Sequence, residues 1–399
     1  MTLSAPLFPP CEHKPDANAV QLRIPPRPRR TSAVRRDERD DQRKGNAMSI
    51  IGIRRAATAT AGLITAIGLS ISPAHASSTT HPRAKASAVH CSETATPVKG
   101  KFGKGTIRGT LCTPEKARTL MVLLHGYTYD RHYWDFPYKH NSYVDAATKR
   151  GYATLAIDRL GSGKSTHPPS PAVTYGGNAQ TVHQVIQAAR SGRLGDHRTR
   201  FSKIVLVGHS YGSLTSYLTA GTYQNDVNAV IATGAGRSIN LPGTALIAAG
   251  LRPAFLDPKF SHKGYDPGYV SLSRSHHRKF FAPSNVDAAA VNTDYRFRQA
   301  SSLVEITTGL TYGITSAAHH INVPVLTVNG DQDTIFCQAT SNDCSSGKAL
   351  ADSQRSFFGP RATVEGAILP GAGHSFNIER TAPNAYRMML DFSDRYVSP

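Results

Sequence analysis

Acidic residues are scarce in this 399-residue chain. It holds 27 Asp and Glu against 46 Lys and Arg, so its formal net charge at pH 7 is +19. Residues 1–76 supply 12 of the basic and 6 of the acidic residues, which leaves 34 basic and 21 acidic residues and a net charge of +13 in the rest. In that remainder no run of Lys and Arg exceeds two residues, and no stacking aromatics are interleaved with basic residues. This charge pattern favours a solvated basic surface over a nucleic-acid site.

The chain also lacks an apolar run long enough for a membrane anchor. The apolar stretch 56–71 is short and rich in Thr, and it follows Met48 and the basic pair Arg54 and Arg55. The sequence P-A-H-A at 73–76 then supplies an A-x-A cleavage site. Together these features predict a secretory signal peptide at 48–76 rather than a transmembrane helix.

The 47 residues before this signal contain much Pro, Arg and Asp and show no apolar periodicity, which predicts disorder. A signal peptide must stand at an N-terminus. We therefore expect translation to begin at Met48 and residues 1–47 to be an upstream over-extension of the reading frame. The alternative is a genuine, unusually long leader.

Cysteine is scarce as well, and its spacing excludes a common metal site. After loss of Cys11 with the N-terminal segment, four cysteines remain: Cys91, Cys112, Cys337 and Cys344. Export would place these four in an oxidising compartment. No CxxC pair is present, which argues against zinc. Three disulfide pairings are possible. Proximity in the sequence favours Cys91 with Cys112 and Cys337 with Cys344.

Short apolar strands alternate with helices in the rest of the chain, after a linker expected at 77–95 and a glycine-rich hairpin expected at 101–113. The predicted strands are 119–124, 152–157, 205–207, 227–233, 323–328 and 363–369, and the predicted helices are 141–149, 182–189, 213–218 and 382–392. This alternation predicts an α/β fold with a mostly parallel sheet, covered by helices on both faces.

Almost ninety residues separate the strands at 227–233 and 323–328, far more than one crossover helix needs. We expect a largely helical cap at about 237–320, inserted after the sixth strand, with helices at 244–251 and 301–318. Aromatic residues between those helices should form the core of the cap and line an apolar pocket: Phe255, Phe260, Tyr265, Tyr269, Phe280, Phe281, Tyr295 and Phe297. The histidine pairs at 276–277 and 319–320 are expected to be surface or cap residues.

The sequence G-H-S-Y-G at 208–212 lies between a predicted strand and a predicted helix. In this context GxSxG indicates a nucleophile elbow, a strained turn that presents a serine, here Ser210, above the end of a sheet. A serine needs a base that accepts its proton and an acid that orients the base. His374, in the glycine-rich loop after the last predicted strand, is the candidate base. Asp333 is the preferred acid, and Asp331 is expected to form the turn.

An acyl substrate would also require two donors for its developing oxyanion. The backbone N–H groups of Tyr127 and Tyr211 are the candidates, so changes to the two side chains should disturb pocket shape more than oxyanion binding. Asp158 ends a strand and is expected to be structural. The sequence G-S-G-K-S at 161–165 lacks the first glycine of the phosphate-loop motif G-x-x-x-x-G-K-[ST]. No nucleotide, other cofactor or metal ion is expected.

Five ordered blocks of the chain resemble the signature motifs of the α/β-hydrolase superfamily, over about residues 95–396. They are His125-Gly126-Tyr127, Asp158-Arg159-Leu160-Gly161-Ser162-Gly163, Gly208-His209-Ser210-Tyr211-Gly212, Gly330-Asp331-Gln332-Asp333 and Gly371-Ala372-Gly373-His374. The phrases at 142–147 and 155–161 are similar to those of secreted, capped members from actinobacteria and filamentous fungi. The resemblance implies that the hydrolase domain spans 96–399 and that Ser210, Asp333 and His374 form a catalytic triad. It also agrees with a short Cys337–Cys344 loop beside the acid.

The same resemblance implies a small-molecule ester, lactone or related acyl substrate. Serine at position 210 argues against haloalkane dehalogenases and epoxide hydrolases, which need a carboxylate nucleophile. The sequence therefore predicts a secreted serine hydrolase without a stable membrane anchor. Two alternatives stay open: an acyltransferase, amidase or peptidase using the same triad, and a catalytically silent binding protein with the same fold.

The signal peptide gives the first testable prediction. Secreted protein should begin close to Ser77, because cleavage is expected after the A-x-A sequence. N-terminal sequencing of the exported protein measures this directly. A mature N-terminus far from Ser77 would contradict both the assigned signal peptide and the start at Met48.

Overall fold

The computed structural model describes residues 88–139, 141–195, 198–236, 238–311, 317–337 and 342–399, without the side chains of residues 310 and 311. The predicted disordered segment 1–47, the predicted signal peptide and the predicted linker as far as residue 87 lie outside these residues.

Strands and helices alternate along the described chain. In chain order the strands are β1 (Val89–Gly100), β2 (Gly103–Pro114), β3 (Thr119–Leu124), β4 (Ala153–Ile157), β5 (Lys203–His209), β6 (Ala229–Thr233), β7 (Leu251–Pro253), β8 (Tyr269–Leu272), β9 (Ser301–Ser302), β10 (Val325–Gly330) and β11 (Val364–Leu369). The α-helices are α1 (Tyr143–Lys149), α2 (Tyr175–Ser191), α3 (Tyr211–Thr222), α4 (Leu241–Ala248), α5 (Arg274–His277), α6 (Ala288–Phe297), α7 (Leu303–Thr311), α8 (Gly347–Arg355) and α9 (Ala382–Tyr396).

Eight strands form the central sheet, in the order β1-β2-β4-β3-β5-β6-β10-β11. The six strands from β4 to β11 in this order are parallel, whereas β1 and β2 form an antiparallel hairpin and β2 pairs antiparallel with β4. The predicted mostly parallel sheet is confirmed. Its parallel strands all end at one edge, where functional groups can gather.

Side chains alternate between two hydrophobic cores, one on each face of the sheet. On β3, Leu120 and Val122 pack with residues of α2, α3 and α8, whereas Met121 and Leu123 pack with residues of α1 and α9. Since all six residues of β3 are buried, the strand shows an unbroken apolar run instead of an alternating one. Helices cover both faces, as predicted.

The hairpin begins earlier than the sequence suggested. Strand β1 starts at Val89, inside the stretch predicted as a linker, and pairs along its whole length with β2. Alternate residues Thr94, Thr96 and Val98 are buried. Two of these inward positions carry threonine, so the period-2 pattern of the strand was hidden by polar side chains.

The insertion between β6 and β10 contains α4, α5, α6 and α7. It also contains a small antiparallel sheet, β7-β8-β9, that was not predicted. The first cap helix ends at Ala248 and not at residue 251, and residues 301–302 form β9 before α7 begins. These cap strands are only two to four residues long, too short to show a strand period.

Both cysteine pairs favoured by sequence proximity form disulfides. Cys91 and Cys112 are direct partners in the β1–β2 register, and Cys337 bonds to Cys344 in the loop after β10. Among the described residues, no helix is long and apolar enough to cross a membrane.

The hairpin disulfide gives a stability prediction. Replacing both Cys91 and Cys112 with Ala should lower the free energy of unfolding by about 3 kcal/mol, because the bridge closes a loop in the unfolded chain. Replacing Cys337 and Cys344 in the same way should lower the free energy of unfolding by less. The sequence separation of this pair is 7, against 21 for Cys91 and Cys112, so its disulfide closes a shorter loop. Guanidinium denaturation of the two double variants tests this order. A Cys91/Cys112 variant as stable as the parent would contradict it.

Candidate active site

Ser210 lies at the sharp turn between β5 and α3. Its backbone adopts φ 52° and ψ −122°, a conformation that L residues rarely adopt. A Cβ at position 208 would lie 2.4 Å from Ser213 Cα, and one at position 212 would lie 2.3 Å from Leu124 O. The turn therefore requires glycine on both sides of the serine, which explains the G-x-S-x-G spacing.

His374 and Asp333 meet Ser210 at the ends of their strands. His374 Nε2 lies 2.8 Å from Ser210 Oγ, and His374 Nδ1 lies 2.8 Å from Asp333 Oδ2. Asp333 is fully buried and His374 nearly so, whereas Ser210 is partly exposed. The structure thus brings together the three residues that the sequence proposed as a triad, in an unbroken hydrogen-bonded chain.

The two aspartates of the loop after β10 have different partners. Asp333 Oδ1 accepts hydrogen bonds from the N–H groups of Ile335 (2.8 Å) and Phe336 (3.2 Å), which leaves Oδ2 for the imidazole. Asp331 Oδ1 instead accepts from the N–H of Gly371 at 2.8 Å and joins two loops. Of the two aspartates, Asp333 is therefore the one in contact with the His374 imidazole.

Aromatic rings surround the His374 imidazole. Phe336 stacks on it with ring centroids 5.8 Å apart, Phe280 lies at 5.5 Å, and His209 lies at 4.9 Å. Burial holds the pKa of His209 well below its usual range, and the neighbouring His374 and His125 lower it further. Its lowered pKa makes the His209 ring a weaker base than an ordinary imidazole.

Two backbone N–H groups remain available beside Ser210. Tyr211 is the first residue of α3, so its N–H has no acceptor within the helix, and the Gly126-Tyr127 turn passes so close that a Cβ at 126 would lie 3.2 Å from Ser210 Cβ. Neither Tyr127 N–H nor Tyr211 N–H donates to another described residue. Both N–H groups are therefore candidates to donate to an oxygen bound next to Ser210.

Sequence comparison identifies the family of this chain. The model of the alpha/beta hydrolase family matches residues 121–385, a range that includes Tyr127, Ser210, Tyr211, Asp333 and His374. The chain belongs to the alpha/beta hydrolase family. No curated protein matches it in sequence.

Solved structures share the alpha/beta hydrolase fold at low sequence identity. A thermophilic esterase from Thermogutta terrifontis has a TM-score of 0.54 at 15% identity, over 76% of this chain and 99% of that protein. Carboxylesterase CesB from Bacillus subtilis has a TM-score of 0.51 at 19% identity, over 75% and 91% of the two chains. A hydrolase from Pseudomonas aeruginosa PA01 has a TM-score of 0.50 at 16% identity, over 75% and 97%. At these identities the likeness shows the fold alone.

A buried carboxylate, Glu379, supports the His374 loop and was not found from the sequence. It accepts hydrogen bonds from the N–H of Gly373 (3.0 and 3.1 Å), the N–H of Ala282 (2.7 Å) and the side-chain amide of Asn285 (2.8 Å). The carboxylate thus fixes the residue before His374 and joins it to the cap. No motif surrounds Glu379 in the sequence, and its partner Ala282 lies almost one hundred residues away.

A second buried group links the cap to the loop that contains Tyr127. Arg159 forms an ion pair with Glu305 of α7, and both side chains are almost fully buried. Burial and, second to it, the adjacent Arg159 lower the pKa of His125 to about 3. The neutral ring of His125 accepts the N–H of Arg159 at Nε2, 3.0 Å away, and lies 2.8 Å from Gly126 O through Nδ1.

The structure also locates Asp158 and His277, two residues considered in the sequence. Asp158 accepts hydrogen bonds from the N–H groups of Arg131 (3.0 Å) and Lys164 (2.8 Å), a structural arrangement. His277 lies in the cap but is buried, not exposed, with Nε2 2.7 Å from Asp294 Oδ2. In the described part of the chain, His, Cys, Asp and Glu residues form no group of three able to hold a metal ion.

The aromatic residues of the insertion fall into separate groups. Phe260, Tyr265 and Tyr269 form a small cluster with Val173, Ala254 and Ala300, as expected of the cap's own core. Phe280 and Phe281 instead belong to the sheet core near His374, whereas Phe255 is exposed.

Glu379 gives a prediction about pH. Burial raises the pKa of its carboxyl to about 7, from 4.5, against the lowering effect of its N–H donors. The folded protein therefore binds a proton that the unfolded chain releases between about pH 4.5 and pH 7, so this group lowers stability as pH rises through that window. Glu379→Gln should remove this contribution, at most about 3 kcal/mol. Urea unfolding from pH 4.5 to 7.5 measures it.

An exposed carboxyl provides the matched control for that experiment. Glu115→Gln removes one acid from the surface and should leave the slope of stability against pH like that of the parent protein. If Glu379→Gln shows the same slope as Glu115→Gln, the assigned role of Glu379 is wrong.

Proposed function

We propose that this alpha/beta hydrolase is a secreted serine hydrolase that cleaves carboxylic esters or lactones of small to medium hydrophobic molecules. The observation that carries the proposal is the hydrogen-bonded chain Ser210–His374–Asp333, with 2.8 Å at both steps. A hydroxyl, a base and a buried acid in this order can generate a nucleophile at neutral pH.

The first half of the reaction transfers the acyl group to the enzyme. Ser210 Oγ attacks the carbonyl carbon while His374 Nε2 takes the hydroxyl proton, and the carbonyl oxygen becomes an oxyanion that accepts hydrogen bonds from the N–H groups of Tyr127 and Tyr211. Collapse of this intermediate breaks the bond to the leaving alcohol, which receives the proton from His374. Asp333 holds the imidazole tautomer and stabilises the imidazolium.

The second half returns the enzyme to its starting state. His374 takes a proton from a water molecule, whose oxygen attacks the acyl carbon. The same two N–H groups bind the second oxyanion. The acyl–Ser210 bond then breaks, His374 returns the proton to Ser210 Oγ, and the carboxylic acid leaves. This cycle needs only the groups named above and water.

Esters are the first substrates to test. The Thermogutta and Bacillus proteins that share the fold are described as an esterase and a carboxylesterase. Phe280 and Phe336, both almost fully buried, make the surroundings of the His374 imidazole apolar, so hydrophobic esters are tested first. A panel of esters of increasing chain length, with lactones, would define the preference of protein that begins near Ser77.

Secretion remains part of the proposal. The predicted signal peptide at 48–76 supports secretion. In this proposal a linker follows the signal peptide and leads to the hydrolase domain with its cap. The two disulfides support an oxidising compartment.

The nucleophile gives a direct prediction. Ser210→Ala should lower the rate of p-nitrophenyl ester hydrolysis by at least about 10³-fold, because no other group would form the acyl-enzyme. Circular dichroism and thermal unfolding should show an intact fold. Wild-type rates in this variant would overturn the mechanism.

Two further assays separate hydrolysis from the alternatives. A fluorophosphonate probe should label Ser210 in the folded parent protein, and failure to label it would favour a catalytically silent binding protein. Product analysis with added alcohols, and a panel of peptide substrates, would reveal acyl transfer or amide cleavage.

A further inference from the structure

Tyr127 and Tyr211, whose N–H groups are the candidate oxyanion donors, are attached to the cap through their side chains. The Tyr127 hydroxyl donates to Ser302 O at 3.1 Å, and the Tyr211 hydroxyl donates to Glu305 O at 2.5 Å. Both acceptors lie in the segment 301–305, which comprises β9 and the start of α7. From the sequence we expected only the backbone N–H groups of these tyrosines to act. Their side chains also bind the cap.

Two more contacts join the same segment to the loop that contains Tyr127. The N–H of Thr128 donates to Ser301 Oγ at 3.0 Å. Arg159, paired with Glu305, donates from Nε to His125 O at 3.0 Å and from Nη2 to Gly126 O at 3.4 Å. The peptide group that carries Tyr127 N–H has Gly126 O as its other end. Arg159 therefore contacts the peptide unit whose N–H would bind the oxyanion.

The segment 301–305 is itself held firmly, both by the cap and by the core domain. Ser301 and Ser302 pair with Val270 and Tyr269 of β8, and Ser302 Oγ donates to Ser170 O at 2.9 Å. Glu305 is buried and accepts a second hydrogen bond, from Asn178 Nδ2 at 2.7 Å. A fixed segment with three separate connections can set the position of the groups attached to it.

We propose that the cap segment 301–305 positions the oxyanion hole of this enzyme. In this proposal Tyr127, Tyr211 and Arg159 are positioning residues through their side chains, and the cap takes part in stabilising the transition state as well as covering the site. Hydrogen-bond donors stabilise an oxyanion only if their positions are fixed to within about 0.5 Å before the charge develops. The inference rests on the proposed serine hydrolase function.

Removal of single hydroxyl groups tests the proposal. Tyr127→Phe and Tyr211→Phe keep the backbone N–H and the ring but lose the bond to the cap. We expect each to lower kcat for p-nitrophenyl esters by about 10-fold, with KM changed less than 2-fold, because a displaced donor weakens the transition state more than the ground state. An arylboronic acid, which forms a tetrahedral adduct with the serine, should bind more weakly by a similar factor.

Tyr138→Phe is the matched control. Its hydroxyl also joins core to cap, donating to Asp287 Oδ2 at 2.9 Å, but among its described hydrogen bonds it has none to the 125–128 loop or to the segment 301–305. This variant should lose thermal stability to a similar extent while keeping the parent kcat and the parent affinity for the boronic acid.

A fourth variant covers the ion pair. Glu305→Gln keeps the backbone carbonyl that binds Tyr211 but removes the charge that holds Arg159. We expect the same selective loss of kcat and of boronic acid affinity. It also keeps the proposal testable if either Tyr→Phe variant fails to fold.

The outcomes separate this inference from the proposed function. If the parent neither hydrolyses esters nor reacts with a fluorophosphonate, the proposed function fails. If the parent is active, and Tyr127→Phe, Tyr211→Phe and Glu305→Gln match Tyr138→Phe in kcat and boronic acid affinity, the cap does not position the oxyanion hole. Selective loss in those three variants supports it.

Discussion

The backbone of Ser210, held at a φ of 52°, is the constraint on which the rest of the site depends. That conformation costs of order 1–3 kcal/mol and persists only where the surroundings determine it. Strand β5 is paired on both sides, and α3 starts immediately after the turn, so the serine cannot relax without disturbing the centre of the sheet. The flanking glycines allow the backbones of α3 and β3 to approach closely enough to keep it there.

Much of this arrangement follows from local sequence. An elbow serine, an acid after a later strand and a histidine after the last strand each carry a short motif at a strand end. A parallel sheet brings such ends together, although they are far apart in the chain. Of Asp331 and Asp333, the preferred candidate Asp333 is the one whose carboxylate contacts the imidazole, whereas Asp331 contacts Gly371.

Other features could not be predicted because they depend on partners distant in sequence. Arg159 and Glu305 are 146 residues apart, and neither sits in a pattern that indicates the other. Glu379 similarly acts through Ala282, Asn285 and Gly373. Strand β1 was missed because its inward positions carry threonine, and β9 because two residues are too few to show a period. Tertiary packing, not local propensity, decides all of these.

The buried pair of Arg159 and Glu305 has a consequence for protein engineering. One member belongs to the core domain and the other to the cap, and leaving either charge buried without its partner costs about 3–5 kcal/mol. Cap and core are therefore not interchangeable modules. A cap grafted from another member of the family must supply an acid opposite Arg159, or the arginine must be replaced together with the cap. The design of chimeras should therefore keep Arg159 and Glu305 together, and should not cut only at the ends of the insertion.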